Sequence, residues 1–171
     1  MPMTAGDVMS RRVVRAKPDD TLPQVAKLMA TNDISALPVC DDSGTPIGMI
    51  SEGDLLHSFG KRHGLRRSWW LSVLADSDRL TQLLADHVRS DRRCARDLMT
   101  TPVVSVSRST GIGAIAGLLL RHHIKRVPVV DNGKIVGIVS RADITYALAQ
   151  HPEALNDERH TRRRGGDSPL G

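Results

Sequence analysis

The chain has 171 residues, 40% of them hydrophobic, a formal net charge of +5 and aromatics at only 2%. That is enough for one domain or two small fused units, and any core must be aliphatic. Eight Lys/Arg face four Asp/Glu in residues 57–94, and four Arg face one Asp in residues 159–171, so the rest is slightly acidic and argues against a basic nucleic-acid-binding domain there.

Residues 1–8 lack the apolar core of a signal peptide, and no apolar run is long enough to span a bilayer, so residence in the cytoplasm is expected. Asp7-Val8-Met9 starts a short helical lead-in, and Val13-Val14 reads as a short strand that ends by Pro18. Asp20 or Thr21 caps a helix with Pro23 in its first turn, where a missing N–H matters little. Val25, Leu28 and Met29 give that helix an apolar face, and Asn32-Asp33 ends it. A hairpin follows, its strands ending near Asp41 and Ser51, and then a helix from about Ser51 through Leu56. Cys40 falls in the first hairpin strand as a small core residue.

Residues 57–94 form an insert. Phe59 to Gly64 looks like loop, Arg67 to Leu74 like a short helix, and Ser77 or Asp78 caps a helix carrying Leu80, Leu83, Leu84 and Val88 on one side. Cys94 follows two arginines; it is either a bland junction residue or a thiol with a lowered pKa. Nothing in two cysteines suggests a disulfide framework, so a reducing compartment is expected.

Val103 to Val106 reads as a strand. Ser109 or Thr110 caps a helix bearing Ile112, Ile115, Leu118 and Leu119. His122-His123 are adjacent on that helix and cannot share a face, which argues against a metal site. Ile124 to Val139 is a hairpin whose Asn132-Gly133 centre is a strong type I′ signal. Ser140 and Asp143 make a capping-box-like Ser-x-x-Asp for a last helix carrying Ile144, Tyr146, Leu148 and Ala149, stopped by Pro152. Residues from about Asn156 onward read as a disordered Arg- and Gly-rich tail.

The second half repeats the first. Asp7-Val8-Met9 matches Asp97-Leu98-Met99, Val13-Val14 matches Val103-Val104, and Leu37-Pro38-Val39 matches Val127-Pro128-Val129. Gly48-Met49-Ile50-Ser51-Glu52-Gly53-Asp54 matches Gly137-Ile138-Val139-Ser140-Arg141-Ala142-Asp143. The single slip in register falls in the hairpin turn, where an extra residue is best tolerated.

This pattern resembles the CBS domain (cystathionine-β-synthase motif) present twice, as a CBS pair or Bateman module; the matching residues cover about 5–56 and 95–148. The resemblance implies an α+β fold of two βαββα units about a pseudo-two-fold axis. The expected division is residues 1–60 for repeat one, 61–94 for the insert, 95–150 for repeat two and 151–171 for the tail. The Arg-Arg-Ser-Trp-Trp-Leu of the insert is similar to that of bacterial CBS-pair proteins that often carry a BON domain; no BON domain is expected within these residues.

Candidate site residues follow from two lines of reasoning. From the residues alone, the Ser51/Asp54 and Ser140/Asp143 pairs are helix caps. A helix N-terminus also suits a phosphate, and a carboxylate one turn in can accept from both hydroxyls of a ribose. The resemblance implies that the matching serines and aspartates hold phosphate and ribose of an adenosine ligand in a cleft between repeats. Lys125 and Arg126 precede the Val-Pro-Val strand and suit a phosphate, or merely blunt a strand edge. Repeat one has Ser35-Ala36 there and Glu52 in place of Arg141, so repeat two should be the better anion site. Adenine would lie against Val104 and Val127 in one cleft and against Val14 and Leu37 in the other.

The expected function is therefore regulatory binding of an adenosine nucleotide (AMP, ADP or ATP), with no catalytic set, no catalytic cofactor and no metal. A homodimer and an effector protein are implied by the resemblance. Two rival readings are a ligand-free dimerisation scaffold, and contact with nucleic acid or membrane through Trp69-Trp70, the insert and the Arg162-Arg163-Arg164 tail. Packed tryptophans and a solvated tail are the plainer expectation.

Overall fold

The computed structural model describes residues 2–62, 82, 85–86 and 89–152. The expected tryptophan-bearing helix of the insert and the expected disordered tail lie outside the described residues, whereas Phe59 to Arg62, expected as loop, are the end of a helix. The chain divides into two compact units that do not follow the repeats: a split unit of Met1–Val13 with Val104 onward, and a continuous unit of Val14–Val103.

The continuous unit holds α2 (Leu22–Asn32), β1 (Ala36–Cys40), β2 (Pro46–Ser51), α3 (Glu52–Arg62) and the four-residue α4 (Ala95–Leu98). The split unit holds α1 (Ala5–Val8), β3 (Val106–Ser107), α5 (Ile112–Arg121), β4 (Arg126–Asp131), β5 (Lys134–Ser140) and α6 (Arg141–Gln150). Each unit therefore takes its hairpin and long helices from one repeat and its lead-in helix from the other.

Elementary chemistry explains most of these elements. Thr21 caps α2 as expected: its hydroxyl accepts from the Gln24 N–H, and the Gln24 side chain accepts from the Thr21 N–H at 2.8 Å. Asp33 ends α2 in the left-handed region. In the second hairpin Asn132 and Gly133 both have positive φ (51° and 77°), the type I′ geometry the pair predicts. The first hairpin turns differently. Asp41 Oδ1 accepts from the Ser43 and Thr45 N–H groups at 2.9 and 3.0 Å, and Gly44 takes φ +86°.

The first strand of each repeat starts later than the valines suggest. In the continuous unit it is a single parallel bridge, Ala16 beside Val39; in the split unit it is Val106–Ser107 beside Val129–Val130. The cause is proline. The Ala16 N–H donates to Pro38 O at 2.9 Å and the Cys40 N–H donates to Ala16 O at 3.0 Å. One step earlier, Val14 O would need an N–H from residue 38, and proline has none. Pro128 stands in the same place relative to Val104.

Other expectations need correcting. Gly111, not Ser109 or Thr110, occupies the N-cap of α5; Thr110 Oγ1 instead accepts from the Ser107 N–H at 3.1 Å. α5 ends at Arg121, so His122 is its C-cap and His123 lies beyond it at φ 53°. The buried residues of α6 are Ile144 and Ala147, whereas Tyr146 is 69% exposed.

The lead-in helices are too short to persist alone. Their N-terminal N–H groups are met by carbonyls of the opposite repeat: Ala5 to Thr110 O (2.8 Å) and Gly6 to Arg108 O (2.9 Å), Ala95 to Asp20 O (2.8 Å) and Arg96 to Pro18 O (3.0 Å). The second residue after each helix then pairs with a hairpin strand. Ser10 and Ile138 exchange two hydrogen bonds (2.9 and 3.0 Å), as do Thr100 and Met49 (2.7 and 3.1 Å). Met9 packs on Gly137 and Met99 on Gly48; a Cβ on either glycine would meet the methionine Cγ at 2.8 or 2.7 Å and its sulfur closer still.

Both cores are aliphatic, as composition requires. Ala5 and Met9 join Val106, Ile115, Leu119, Val127, Val129, Val139 and Ile144. Ala95 joins Ala16, Val25, Met29, Leu37, Val39 and Ile50.

Candidate functional site

In the split unit the end of β5, the start of α6 and the start of β4 meet at one corner. Arg126 lies opposite Ser140 in the ladder, and the Arg141 N–H donates to Lys125 O at 2.9 Å. Ser140 and Asp143 form a complete capping box: Asp143 Oδ2 accepts from the Ser140 N–H and hydroxyl, both at 2.7 Å, and the Asp143 N–H donates to Ser140 Oγ at 3.2 Å. An ionised carboxylate has about four acceptor positions. Two are occupied on Oδ2, and among the described residues Oδ1 accepts nothing.

The cations of this corner differ in their freedom. The Arg141 Nε–H donates to Ile124 O at 3.0 Å, which pins the guanidinium while leaving its terminal N–H groups without partners among the described residues. Lys125 is exposed. Arg126 is half-buried, and Val127 beside it is fully buried. Val104 is half-buried, two residues before the sheet pairing begins, and among the described residues neither its N–H nor its C=O has a hydrogen-bond partner.

The continuous unit builds the same corner with other charges. Ala36 lies opposite Ser51, and the Glu52 N–H donates to Ser35 O at 2.9 Å. Asp54 Oδ2 accepts from the Ser51 N–H at 2.8 Å and its hydroxyl at 3.0 Å. Leu37 is fully buried and Val14 half-buried. The eleven candidate residues thus fall into two groups: Val104, Lys125, Arg126, Val127, Ser140, Arg141 and Asp143 in one unit, Val14, Leu37, Ser51 and Asp54 in the other.

The same capping device recurs where no ligand is expected. Asp7 Oδ2 accepts from the Thr4 N–H and hydroxyl (2.8 and 2.7 Å), and Asp97 Oδ2 from the Cys94 N–H and thiol (2.9 and 3.2 Å). The backbone hydrogen bond is the main reason both carboxyls sit below the usual carboxylate range, with the hydroxyl or thiol second. The Cys94 thiol is pushed up, first by desolvation and then by Asp97, which removes the activated-thiol alternative. Burial likewise raises the Cys40 thiol, against a smaller opposing influence of Arg15.

Sequence reasoning missed a buried acid. Asp91 is 7% exposed; its Oδ1 accepts from the Arg93 N–H and Nε–H, both at 3.0 Å, and Arg93 also donates to Ser58 of α3. A surface cavity of about 630 Å³ beside it is lined by Ser90, Asp91, Arg92, Arg93 and Asp97. It shares no residue with either corner, and Asp91 and Arg93 neutralise each other, so it is a structural feature of the chain entering α4. Among the described residues no cluster of His, Cys, Asp and Glu could hold a metal, and no helix is long and apolar enough to cross a membrane.

The CBS domain family model matches residues 5–61 and 95–150. The uncharacterized protein MJ1426 of Methanocaldococcus jannaschii is 32% identical over 155 residues, covering 85% of this chain and 91% of its own length. The chain spans only 61% of the length of another relative, the uncharacterized protein MK0525 of Methanopyrus kandleri, at 27% identity over 83% of this chain. Among solved structures, the CBS-pair protein CBSX2 from Arabidopsis thaliana superposes with a TM-score of 0.70 at 28% identity, covering 90% of this chain and 99% of that one. CBSX2 in complex with AMP gives 0.65 at 29% identity, covering 87% and 98%. With the α+β architecture of a CBS pair and both repeats matched, this chain belongs to the CBS domain family.

Proposed function

We propose that this protein is a regulatory module whose split unit binds an adenosine nucleotide, AMP or a close analogue, at the corner of β4, β5 and α6. The observation that carries this reading is the half-used carboxylate of Asp143. Two acceptor positions hold the helix cap, and the two on Oδ1 suit the two hydroxyls of a ribose. The AMP complex of CBSX2, a relative at 29% identity, supports an adenosine ligand.

The other groups then take distinct roles. Arg141, held by its Nε, presents its remaining N–H groups to phosphate together with Lys125 and Arg126. Ser140 directs its hydroxyl proton at Asp143, so its task is to hold the carboxylate rather than to donate to phosphate. The unpaired backbone of Val104 can meet the polar edge of adenine, whereas Val127, fully buried in the core, lies beneath the site and offers the ring no surface. Binding biases a conformational equilibrium that a partner subunit or an effector reads.

The test is thermal stability with AMP. At about 100 times Kd, roughly 2.7 kcal/mol of stabilisation is expected, and Asp143→Asn should abolish it. A well-folded protein whose stability no adenine nucleotide changes would remove the sensor reading and leave an oligomerising scaffold.

A further inference from the structure

The two corners share a backbone and differ in charge, and the difference falls on corresponding residues. The first residue of α6 is Arg141 and the first residue of α3 is Glu52; each N–H donates to the carbonyl just ahead of its hairpin, Lys125 O or Ser35 O, at 2.9 Å. Lys125 and Arg126 correspond to Ser35 and Ala36. The corner of the split unit thus joins three cations to one carboxylate, Asp143. The corner of the continuous unit has no cation at the three corresponding positions, Ser35, Ala36 and Glu52, and has two carboxylates, Glu52 and Asp54. Arg15, on the chain entering that unit, serves the other end of the hairpin, where its guanidinium lies 3.4 Å from the position of a Gly44 Cβ.

We infer that Glu52 is a specificity-determining residue: it bars phosphate from the corner of the continuous unit, which takes an adenosine whose 5′ end carries no negative charge. This rests on the proposed adenosine-binding function. Asp54 keeps the same half-used carboxylate as Asp143, with Oδ2 held by Ser51 and Oδ1 accepting nothing among the described residues. The ribose-binding element is therefore present in both corners. A phosphate would meet Glu52 where the other corner offers Arg141, and like charges brought together repel. One chain then reads two adenosine species, one phosphorylated and one not.

Isothermal titration of the full chain with AMP and with adenosine tests this. Wild type should take one AMP per chain, and adenosine should still bind to AMP-saturated protein. Glu52→Arg should raise the AMP stoichiometry to two, and Glu52→Gln, which removes the repulsion without adding a cation, should tighten a second AMP by about tenfold. Two AMP sites of equal affinity in wild type would overturn the inference and leave the proposed function standing, as would a folded Glu52→Arg and Glu52→Gln that each still take one AMP. Binding of neither AMP nor adenosine would remove the proposed function, and the inference with it.

Discussion

A methyl group added at Gly137 is the sharpest probe of this fold. It would enter 2.8 Å from Met9 Cγ and 3.1 Å from Met9 Cβ. Rotation about the side chain can move Cγ and the sulfur but not Cβ, whose place is set by the backbone between α1 and the Ser10–Ile138 pair. Overpacking of this kind costs about 1–3 kcal/mol. Met9 is 8% exposed, and truncating it to alanine costs about 2–5 kcal/mol. The two losses should not add, because Met9→Ala vacates the space that the new methyl fills. A favourable coupling of about 1–2 kcal/mol is expected, within the usual range for touching residues. Gly137→Ala with Met99→Ala should be additive to within about 0.5 kcal/mol, since Met99 packs on Gly48 instead. Urea unfolding followed by far-ultraviolet circular dichroism measures all four states of each cycle. Rescue of Gly137→Ala by Met99→Ala, and not by Met9→Ala, would show that each lead-in helix returns to its own repeat and would refute the exchanged architecture.

Gly133→Ala should destabilise by about 1 kcal/mol through conformation alone, since φ is +77° and nothing lies within 4 Å of the added Cβ; thermal unfolding reads it directly. Asp7 and Asp97 have carboxyl pKa values lowered below 3.8 in the folded state. The unfolded chain therefore binds protons first as pH falls, and the stabilisation is complete above the unfolded pKa and lost on acidification below about pH 4. Asp7→Asn and Asp97→Asn should flatten that acid limb, measured as urea midpoints across the range; an unchanged limb would deny the two caps any role in it. Ser140→Ala should cost about 1 kcal/mol of stability as a lost cap and also weaken AMP, because Asp143 Oδ2 is released; a stability loss with AMP affinity unchanged would confine Ser140 to capping.

Local chemistry makes much of the fold legible. Thr21 with Pro23, Asn132-Gly133 and Ser140 with Asp143 each specify their geometry within four residues, and each sits where the chain alone suggests. Non-local choices are hidden. The Asp-x-Met lead-in and the Gly-x-apolar-Ser strand read as two motifs of one repeat, yet they are the two sides of a contact between repeats: Met9 on Gly137, Met99 on Gly48. Either assignment satisfies the same pattern, so periodicity cannot choose between them. The shortened first strands are legible in principle, since Pro38 and Pro128 lack the N–H that Val14 and Val104 would need. The face of α6 is obscured because alanines and a tyrosine give it almost no apolar stripe; Ala147 faces inward and Tyr146 outward. For the site, the opposed charges of Glu52 and Arg141 are visible in the sequence, but the use of only Oδ2 in each capping box requires coordinates.

That last detail bears on a conflict between two explanations of the Ser-x-x-Asp pairs. Read as a cap, the aspartate belongs to the helix; read as a ribose acceptor, it belongs to a ligand. Among the described residues the four aspartate capping boxes Thr4/Asp7, Ser51/Asp54, Cys94/Asp97 and Ser140/Asp143 all bind the N-cap through Oδ2, so capping itself does not distinguish a site from a plain helix end. What differs is the surroundings. Asp7 and Asp97 are exposed on four-residue helices whose leading N–H groups are met by carbonyls of the other repeat. Asp54 and Asp143 are half-buried, each in the first turn of a longer helix that leaves a hairpin directly. A ligand there can use Oδ1 without disturbing the cap, so the fold does not weaken when the site fills. Because Asp143 lies in the first turn of the helix that leaves the hairpin on which Met9 and Ser10 dock, the proposed occupancy of that corner should stabilise the N-terminal segment together with repeat two, a route by which one bound nucleotide would reach both halves of the chain.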